Sequence, residues 1–366
     1  MFHKSRPFVL ALSFLGIFIL ISLFATTHVF ASEPKDQKIA KVISVSESKQ
    51  NGFNEQMVEM QIYNDQADDE TIFIVNNVPD NQAYAITAKP GREYLVNFDE
   101  SVGQIYISDY YREKTVLGLL SLFCILVIIF GAFRGFKALI SLLLTGLAIV
   151  YIFLPGIQAG YNPVLLAILI SSFATASTMI LIAGFTKKSL AATLGTTGGV
   201  TAAGILAFFV IEMAPLSGLA STESHILLAN SEGLNLNFQG MLAAGILISS
   251  LGASMDVSIS IASSTQEIFE ANLKQSRKEL FAHAMNVGRD IMGTMTNTLI
   301  LAYTGASIPL FMLLSQDSGI RVLNIEIIAT QVSSALIGSI GLLLAIPITA
   351  IVSVFLLKPY NSQGCD

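Results

Sequence analysis

The sequence contains no tryptophan, two cysteines and few charged residues. Only 13% of its 366 residues are charged, against about 25% in an average soluble domain. Together with 53% hydrophobic residues and a mean hydropathy of +0.65, this argues against a soluble protein and for one that crosses a membrane several times. Without tryptophan, tyrosine must supply any aromatic belt at the membrane surface.

The two cysteines also exclude a framework of disulfides or metal ligands. Cys124 lies inside an apolar run and Cys365 lies next to the C-terminus, so the two are poorly placed to pair. No basic tract is present, and we therefore expect no nucleic-acid partner.

Eight apolar runs are near the length of about 20 residues that one membrane crossing requires. They cover residues 8–30, 115–133, 138–155, 163–183, 189–211, 239–262, 291–314 and 332–357. Basic residues precede the first run, and Val29-Phe30-Ala31 at its end resembles a small-residue cleavage site. We therefore expect residues 1–31 to be a signal-anchor or a cleaved signal peptide. We favour the anchor because its apolar core exceeds the usual signal length. The predicted fold class is an all-α membrane bundle of seven core spans behind this segment.

Basic residues occur in every second loop between the runs. These are Arg134, Lys137, Lys187, Lys188, Lys274, Arg277, Lys278, Arg289 and Lys358. The positive-inside rule places them in the cytoplasm. The alternate loops 156–162 and 212–238 hold no Lys or Arg, and the loop 315–331 holds Arg321 alone. We therefore expect a multi-pass protein of a bacterial plasma membrane.

Residues 32–114 form a polar stretch that this topology places outside the cytoplasm. Short runs of β-forming residues cover 38–46, 56–63, 70–78, 84–88, 93–98 and 104–111, with turn signals such as Asn51-Gly52 between them. The pattern predicts a small antiparallel barrel, OB-like in type. A membrane domain at 115–357 and a cytoplasmic tail at 358–366 follow it in the sequence. The stretch contains no Cys or His, so we expect a binding or assembly module.

Two stripes of polar residues lie in the last third of the chain. The first consists of Asp256, Ser260, Ser263 and Glu267. The second consists of Asn286, Asp290, Gly293 and Asn297, with Arg289 beside it. Both have spacings of four, three and four residues, which place each stripe on one helix face. We expect the two stripes to face each other at similar depth, with Gly293 allowing close approach.

Asp256 is the residue on which the functional interpretation depends. It lies about 9 Å from the cytoplasmic end of its span, where a carboxylate costs about 2.5–3.5 kcal/mol, so it must be protonated, paired or facing water. The candidate transport or relay residues are Asp256, Ser260, Asn286, Arg289, Asp290 and Asn297. One alternative is a purely structural ion pair between Asp256 and Arg289. Another is that the threonines around Asn297 join neighbouring helices by hydrogen bonds.

The remaining motifs carry weaker signals. Residues 266–287 predict an amphipathic helix on the cytoplasmic membrane surface, with an extension of the sixth span as the alternative. "LGTTGG" at 194–199 lacks the lysine of a phosphate loop and marks close helix packing or a broken helix. Glu223 and His225 are two candidate metal ligands, too few for a site. No nucleophile and base have convincing spacing, so we expect neither enzymatic activity nor a cofactor.

Two stretches resemble the YibE/F family of bacterial polytopic membrane proteins. They are "YISDYYREKTVLGLLSLFCILVIIFGAFRGFKAL", which couples an Asp109–Arg112 pair to the first core span, and a stretch from "LGASMDVSISIASS" to "GRDIMGTMTNTLILAYTGASIPLFMLL". The likeness covers about residues 38 to 357. It implies an extracytoplasmic β segment followed by a helical bundle, and no established activity.

A shorter stretch of about 60 residues around Asp256 is similar to SecF and RND-type permeases, which are driven by ion gradients. The two polar stripes, together with this likeness, lead us to expect a transport or export-related protein that is coupled to an ion through Asp256. Its partners would be the lipid bilayer and an unknown small substrate or ion. The alternative is a scaffold that binds a protein partner at the outer surface through its β domain.

Overall fold

The computed structural model describes residues 37–50, 53–63, 70–78, 85–99, 104–231, 235–314 and 322–357. The apolar run 8–30 and the tail 358–366 lie outside the described residues. The chain divides into two compact units, Met1–Phe133 and Arg134–Asp366, which are considered separately below.

The first unit contains a five-stranded antiparallel sheet. Its strands are β1 Gln37–Gln50, β2 Phe53–Ile62, β3 Glu70–Val78, β4 Glu93–Asp99 and β5 Gln104–Tyr110. They are ordered β3-β2-β1-β4-β5, and the two end strands β3 and β5 come into contact. The sheet therefore curls into a barrel-like domain around a core that includes Val42, Val58, Met60, Ile62 and Tyr94. This confirms the predicted small antiparallel β domain.

The sequence left open whether the run of β-forming residues at 84–88 adds a sixth strand, and its described residues, 85–88, do not form one. Hydrogen bonds from side chains hold this segment instead. The buried Gln56 accepts a hydrogen bond from the Ala88 N–H through Oε1 at 2.8 Å, and Asn76 Nδ2 donates to the Ile86 carbonyl at 2.8 Å. The backbone polar groups are thus satisfied without strand pairing.

A polar cluster connects β5 to the helix that follows it. Arg112 Nη1 lies 2.7 Å from Asp109 Oδ2, which is the pair expected from the sequence. The hydrogen bond from Arg112 holds the pKa of Asp109 below its usual value. Nearby, Tyr111 donates to Glu113 Oε2 at 2.9 Å. Burial, and then this contact with a carboxylate, raise the pKa of Tyr111 to about 12.

The first long apolar segment, Glu113–Gln158, contains two of the predicted spans. It consists of α1 Glu113–Ala148, a π-helical turn Ile149–Phe153 and α2 Leu154–Gln158. Ala132, at φ 46° and ψ −130°, interrupts the helical backbone between residues 115–133 and 138–155. The segment has 46 residues, more than twice the about 20 needed for one crossing.

The second unit is helical after that segment. Its further helices are α3 Pro163–Ala183, α4 Lys187–Met213, α5 Thr222–Asn230, α6 Phe238–Ala271, α7 Arg277–Ala306, α8 Ile308–Leu314 and α9 Glu326–Leu357. Polar side chains cap several N-termini, as Asn162 does by accepting from the Val164 N–H at 2.9 Å.

Five of the described helical segments are long and apolar enough to cross a membrane, so seven core spans are not confirmed. They are Glu113–Gln158, Pro163–Ala183, Lys187–Met213, Phe238–Ala271 and Glu326–Leu357. The predicted span 291–314 falls on α7 and α8. α7 is not among the five because its polar residues, such as Arg289, Asp290 and Asn297, lower its hydropathy.

The amphipathic helix predicted over 266–287 is not a separate element. Its first residues belong to α6, which ends at Ala271, and its last belong to α7, which begins at Arg277. The break is stabilised by a capping box, in which the Ser276 side chain accepts from the Glu279 N–H and the Glu279 side chain accepts from the Ser276 N–H.

Small residues pack α4 tightly against α9. A Cβ atom at Gly199 would lie 2.6 Å from the Ala345 Cβ, and one at Gly341 would lie 2.6 Å from the Ala203 Cβ. Gly195 packs against Thr349 in the same seam. "LGTTGG" at 194–199 therefore marks close helix packing within a continuous helix, and it does not mark a break.

Candidate functional site

The accessible face of α6 is a continuous stripe of small and polar residues. α6 packs on α3, α4, α7 and α9, and these contacts bury most of its circumference. Between residues 240 and 269, the exposed residues of α6 are Gly245, Ser249, Gly252, Asp256 and Glu267, and the partly exposed Ser260 and Ser263 lie on the same face. Partly exposed apolar residues such as Met241, Ile248 and Ile259 flank this stripe. The stripe extends the predicted one toward the N-terminus of the helix. It is the reverse of the apolar surface that a lipid-facing helix presents.

The Asp256 carboxylate lies on this stripe without a partner among the described residues. It is exposed, and among the described residues no hydrogen bond or ion pair engages its side chain. Ser260 Oγ donates to the Asp256 backbone carbonyl at 2.8 Å. Arg289 donates instead to Asn286 Oδ1 at 2.9 Å. The alternative of a structural ion pair between Asp256 and Arg289 is therefore wrong.

The second stripe lies on the exposed face of α7. Asn286, Arg289, Asp290, Gly293 and Asn297 are all exposed. The close approach expected at Gly293 is wrong, because a Cβ there would meet no described atom within 4 Å. The close approach occurs at another glycine of α7, Gly288, where a Cβ would collide with Ile346 of α9.

Two contacts between α6 and α7 show which part of α7 lies at the same height along the helix axes as Asp256. The hydroxyl groups of Ser249 and Tyr303 are hydrogen bonded, and Ile261 Cδ1 lies 3.5 Å from the Cβ position of Gly288. Asp256 lies between Ser249 and Ile261 in α6, so it is level with the part of α7 between Gly288 and Tyr303. That part contains Arg289, Asp290, Gly293 and Asn297 of the second stripe, whereas Asn286 precedes it. No hydrogen bond between described residues joins the two stripes.

The threonines of α7 around Asn297 do not join neighbouring helices by hydrogen bonds, as one alternative from the sequence had suggested. Thr294 donates to the Ile291 carbonyl and Thr298 to the Thr294 carbonyl, both at 2.9 Å and both within α7. Thr296 Oγ1 is buried without a partner among the described residues. These hydroxyl groups satisfy their own helix or remain unpaired.

A cavity at the N-terminal end of the α6 stripe was not predicted from the sequence. Its volume is about 430 Å³, and Gly245, Ser249 and Tyr303 contribute to its wall. The first two continue the predicted stripe backward at the same spacing, so extending that pattern would have found them. No pattern in the sequence indicated that Tyr303 would line this cavity.

The described residues contain no group of three or more His, Cys, Asp and Glu side chains that could hold a metal ion. Glu223 and His225 lie exposed on the short helix α5. Glu232, in the same predicted outer loop, lies outside the described residues.

A family model described as YibE/F-like protein matches residues 119–359. The chain belongs to the YibE/F-like family. The match contains α6, α7 and both polar stripes, whereas the β domain of this YibE/F-like chain precedes it. Neither the comparison with curated proteins nor that with solved structures gives a match. The likeness to SecF and RND-type permeases is not shown by these comparisons.

Proposed function

We propose that this YibE/F-like protein is a transport protein of a bacterial plasma membrane in which the α6 stripe lines the path. The observation that carries the proposal is the exposed Asp256 side chain, which no described residue pairs with, in a helix long and apolar enough to span a membrane. Ionisable residues inside spanning segments typically mark ion or substrate pathways.

The composition of the stripe supports a path that contains water. A carboxylate that faces hydrocarbon costs about 2.5–3.5 kcal/mol, and no described cation offsets this at Asp256. Glycine and serine neighbours such as Ser249, Gly252 and Ser260 leave room for water and can form hydrogen bonds with it. A carboxylate in such a path can take up and release a proton or bind a cation, which would couple transport to an ion gradient.

The proposed topology has the β domain on the outer side. The segment Glu113–Gln158 would cross the membrane twice, with the bend at Ala132 near the cytoplasmic side next to Arg134 and Lys137. The basic ends of α4 and α7, at Lys187 and Arg277, would lie on that same side under the positive-inside rule.

The experiment measures proton flux into vesicles that contain the full-length protein, with a trapped pH-sensitive dye and an imposed membrane potential. We expect Asp256→Asn to lower the protein-dependent flux by about tenfold or more, because an amide neither ionises nor carries a proton. Glu223→Gln is the matched control, since it neutralises an exposed carboxylate outside the stripe. Equal flux in wild type and Asp256→Asn would remove the proposed role.

The second candidate function is a scaffold that binds a protein partner through the β domain. It is favoured by exposed apolar side chains on neighbouring strands, with Phe73 71% exposed and with Met57 opposite Val75 in the register of β2 and β3. Replacing Phe73 and Met57 by serine separates the two functions. A scaffold would lose its partner in co-purification while a transporter would keep its flux.

A further inference from the structure

The cavity at the end of the α6 stripe has a lining without charge. Seven of its lining side chains can form hydrogen bonds: those of Ser221, Ser224, Ser249, Tyr303, Thr330, Gln331 and Ser334. Apolar side chains, among them Phe238, Met241 and Ile246, make up much of the rest. No described lining residue is an acid, a base or a histidine. The volume of about 430 Å³ falls within the range of about 300–1,000 Å³ that small-molecule sites occupy.

Two of the lining residues have hydrogen-bonding groups that nothing described satisfies. Thr330 is only 8% exposed, and its Oγ1 is buried without a partner. The Gln331 amide forms no hydrogen bond with another described residue. Gln331 and Tyr303 also line a second cavity of about 140 Å³, so these two side chains lie on both cavities. Buried polar groups are rarely left unpaired. A bound molecule would pair with the partly exposed Gln331 amide directly, and with the Thr330 hydroxyl once that side chain rotates toward the cavity.

We propose that this cavity binds an uncharged small molecule that carries hydroxyl or amide groups on an apolar frame. A charged ligand would lose its hydration on entering the cavity and would find no opposite charge among the lining residues, which is unfavourable. A neutral polar ligand would pair with Thr330, Gln331 and Ser249 while its apolar part packs against Phe238 and its neighbours. That this ligand is the transported substrate rests on the proposed function, because Ser249 joins the cavity to the stripe that leads to Asp256.

The test measures which thiol reagents reach the cavity wall in the full-length protein in liposomes. Cys124 and Cys365 are first replaced by serine, and Thr330→Cys is then introduced. Three methanethiosulfonates are compared: a neutral methyl, a cationic trimethylammonium-ethyl and an anionic sulfonatoethyl reagent. We expect the neutral reagent to modify Thr330→Cys at least about tenfold faster than either charged one, after correction for their intrinsic rates.

Thr222→Cys is the matched control, because it is the same substitution at an exposed position on α5. Its three corrected rates should agree within about threefold, since water screens the charge there. A cationic or anionic reagent that modifies Thr330→Cys as fast as the neutral one would overturn the proposal. So would the absence of any modification in a variant that keeps the melting temperature of its parent.

A second variant tests whether the lining itself sets the selectivity. Adding Gln331→Glu to Thr330→Cys places a carboxylate in the wall, and the cationic reagent should then react at least as fast as the neutral one. An unchanged order of rates would overturn the proposal. If labelling is selective but Asp256→Asn keeps full flux, the binding site is supported and the transport role is contradicted. If labelling is unselective and flux depends on Asp256, the transport role is supported and the binding site is contradicted.

Discussion

A Cβ atom added to Gly199 in α4 would lie 2.8 Å from the carbonyl oxygen of Gly341 in α9. Real Cβ atoms do not approach backbone atoms so closely, and the two helices therefore depend on glycine at this crossing. In a bilayer, where lipid tails are as apolar as the side chains, such close backbone contact is a main source of helix association.

The first prediction concerns this glycine. We expect Gly199→Ala to lower the free energy of unfolding of the membrane domain by about 1–3 kcal/mol, because the added methyl group forces the helices apart. The measurement is the thermal unfolding of the purified full-length protein in detergent. Gly293→Ala is the control, since a Cβ there meets no described atom and alanine favours the helix by up to about 1 kcal/mol. Equal losses in both variants would contradict the packing argument.

The second prediction concerns the buried Gln56 in the β domain. Gln56→Ala removes the acceptor of the Ala88 N–H and leaves a buried donor unpaired, which should cost about 1–3 kcal/mol. Hydrogen exchange at the Ala88 amide should become faster in this variant. Asn77→Ala, at an exposed amide side chain on β3, should leave it unchanged. Unaltered protection in Gln56→Ala would show that the side chain does not hold this segment.

The third prediction is a pH dependence at Tyr111. Its pKa is raised from 10.0 to about 12 by burial and then by the Glu113 carboxylate. Because the folded state favours the neutral phenol, Tyr111 stabilises the fold fully below pH 10, and this contribution is lost as the pH rises toward about 12. Tyrosinate absorbance should show a titration near pH 12 that is absent in Tyr111→Phe. In Glu113→Gln, which removes the negative charge, the same titration should occur at lower pH.

The fourth prediction concerns the carboxylate at the start of α9. Glu326 Oε1 accepts from the Ser217 N–H at 2.6 Å and also from its hydroxyl group. We expect Glu326→Ala to cost about 1–3 kcal/mol by unpairing this amide, and to make residues 214–221 more sensitive to protease. Glu326→Gln keeps an oxygen acceptor and should lose less. Glu223→Ala, at an exposed acid on α5, should behave as wild type.

Local patterns in the sequence predicted much of the fold. The spacing of Asp256, Ser260 and Glu267 placed them on one face, and "LGTTGG" predicted close helix packing or a broken helix, of which the first is correct. Both depend on geometry within a single helix, which sequence spacing encodes. The division of 266–287 between α6 and α7 was also predictable, because Ser276 and Glu279 form the usual capping-box pattern. The amphipathic pattern instead suggested one helix over the whole segment.

Contacts between distant segments were not predictable in the same way. Ser217 and Glu326 are 109 residues apart, and no periodicity links Ser249 to Tyr303. The alternative that Arg289 pairs with Asp256 depended on charge alone, whereas its actual partner Asn286 lies three residues away on the same helix. Membrane depth can be estimated from residue counts, but the rotation of one helix against another depends on packing that a single sequence does not display.

The glycine seam between α4 and α9 has a consequence for any conformational cycle. Two helices whose backbones touch at Gly199 and Gly341 cannot slide or rotate against each other without a clash, so they must move together as one rigid body. If the protein alternates between outward-open and inward-open states, the displacement has to occur at helix contacts other than this seam.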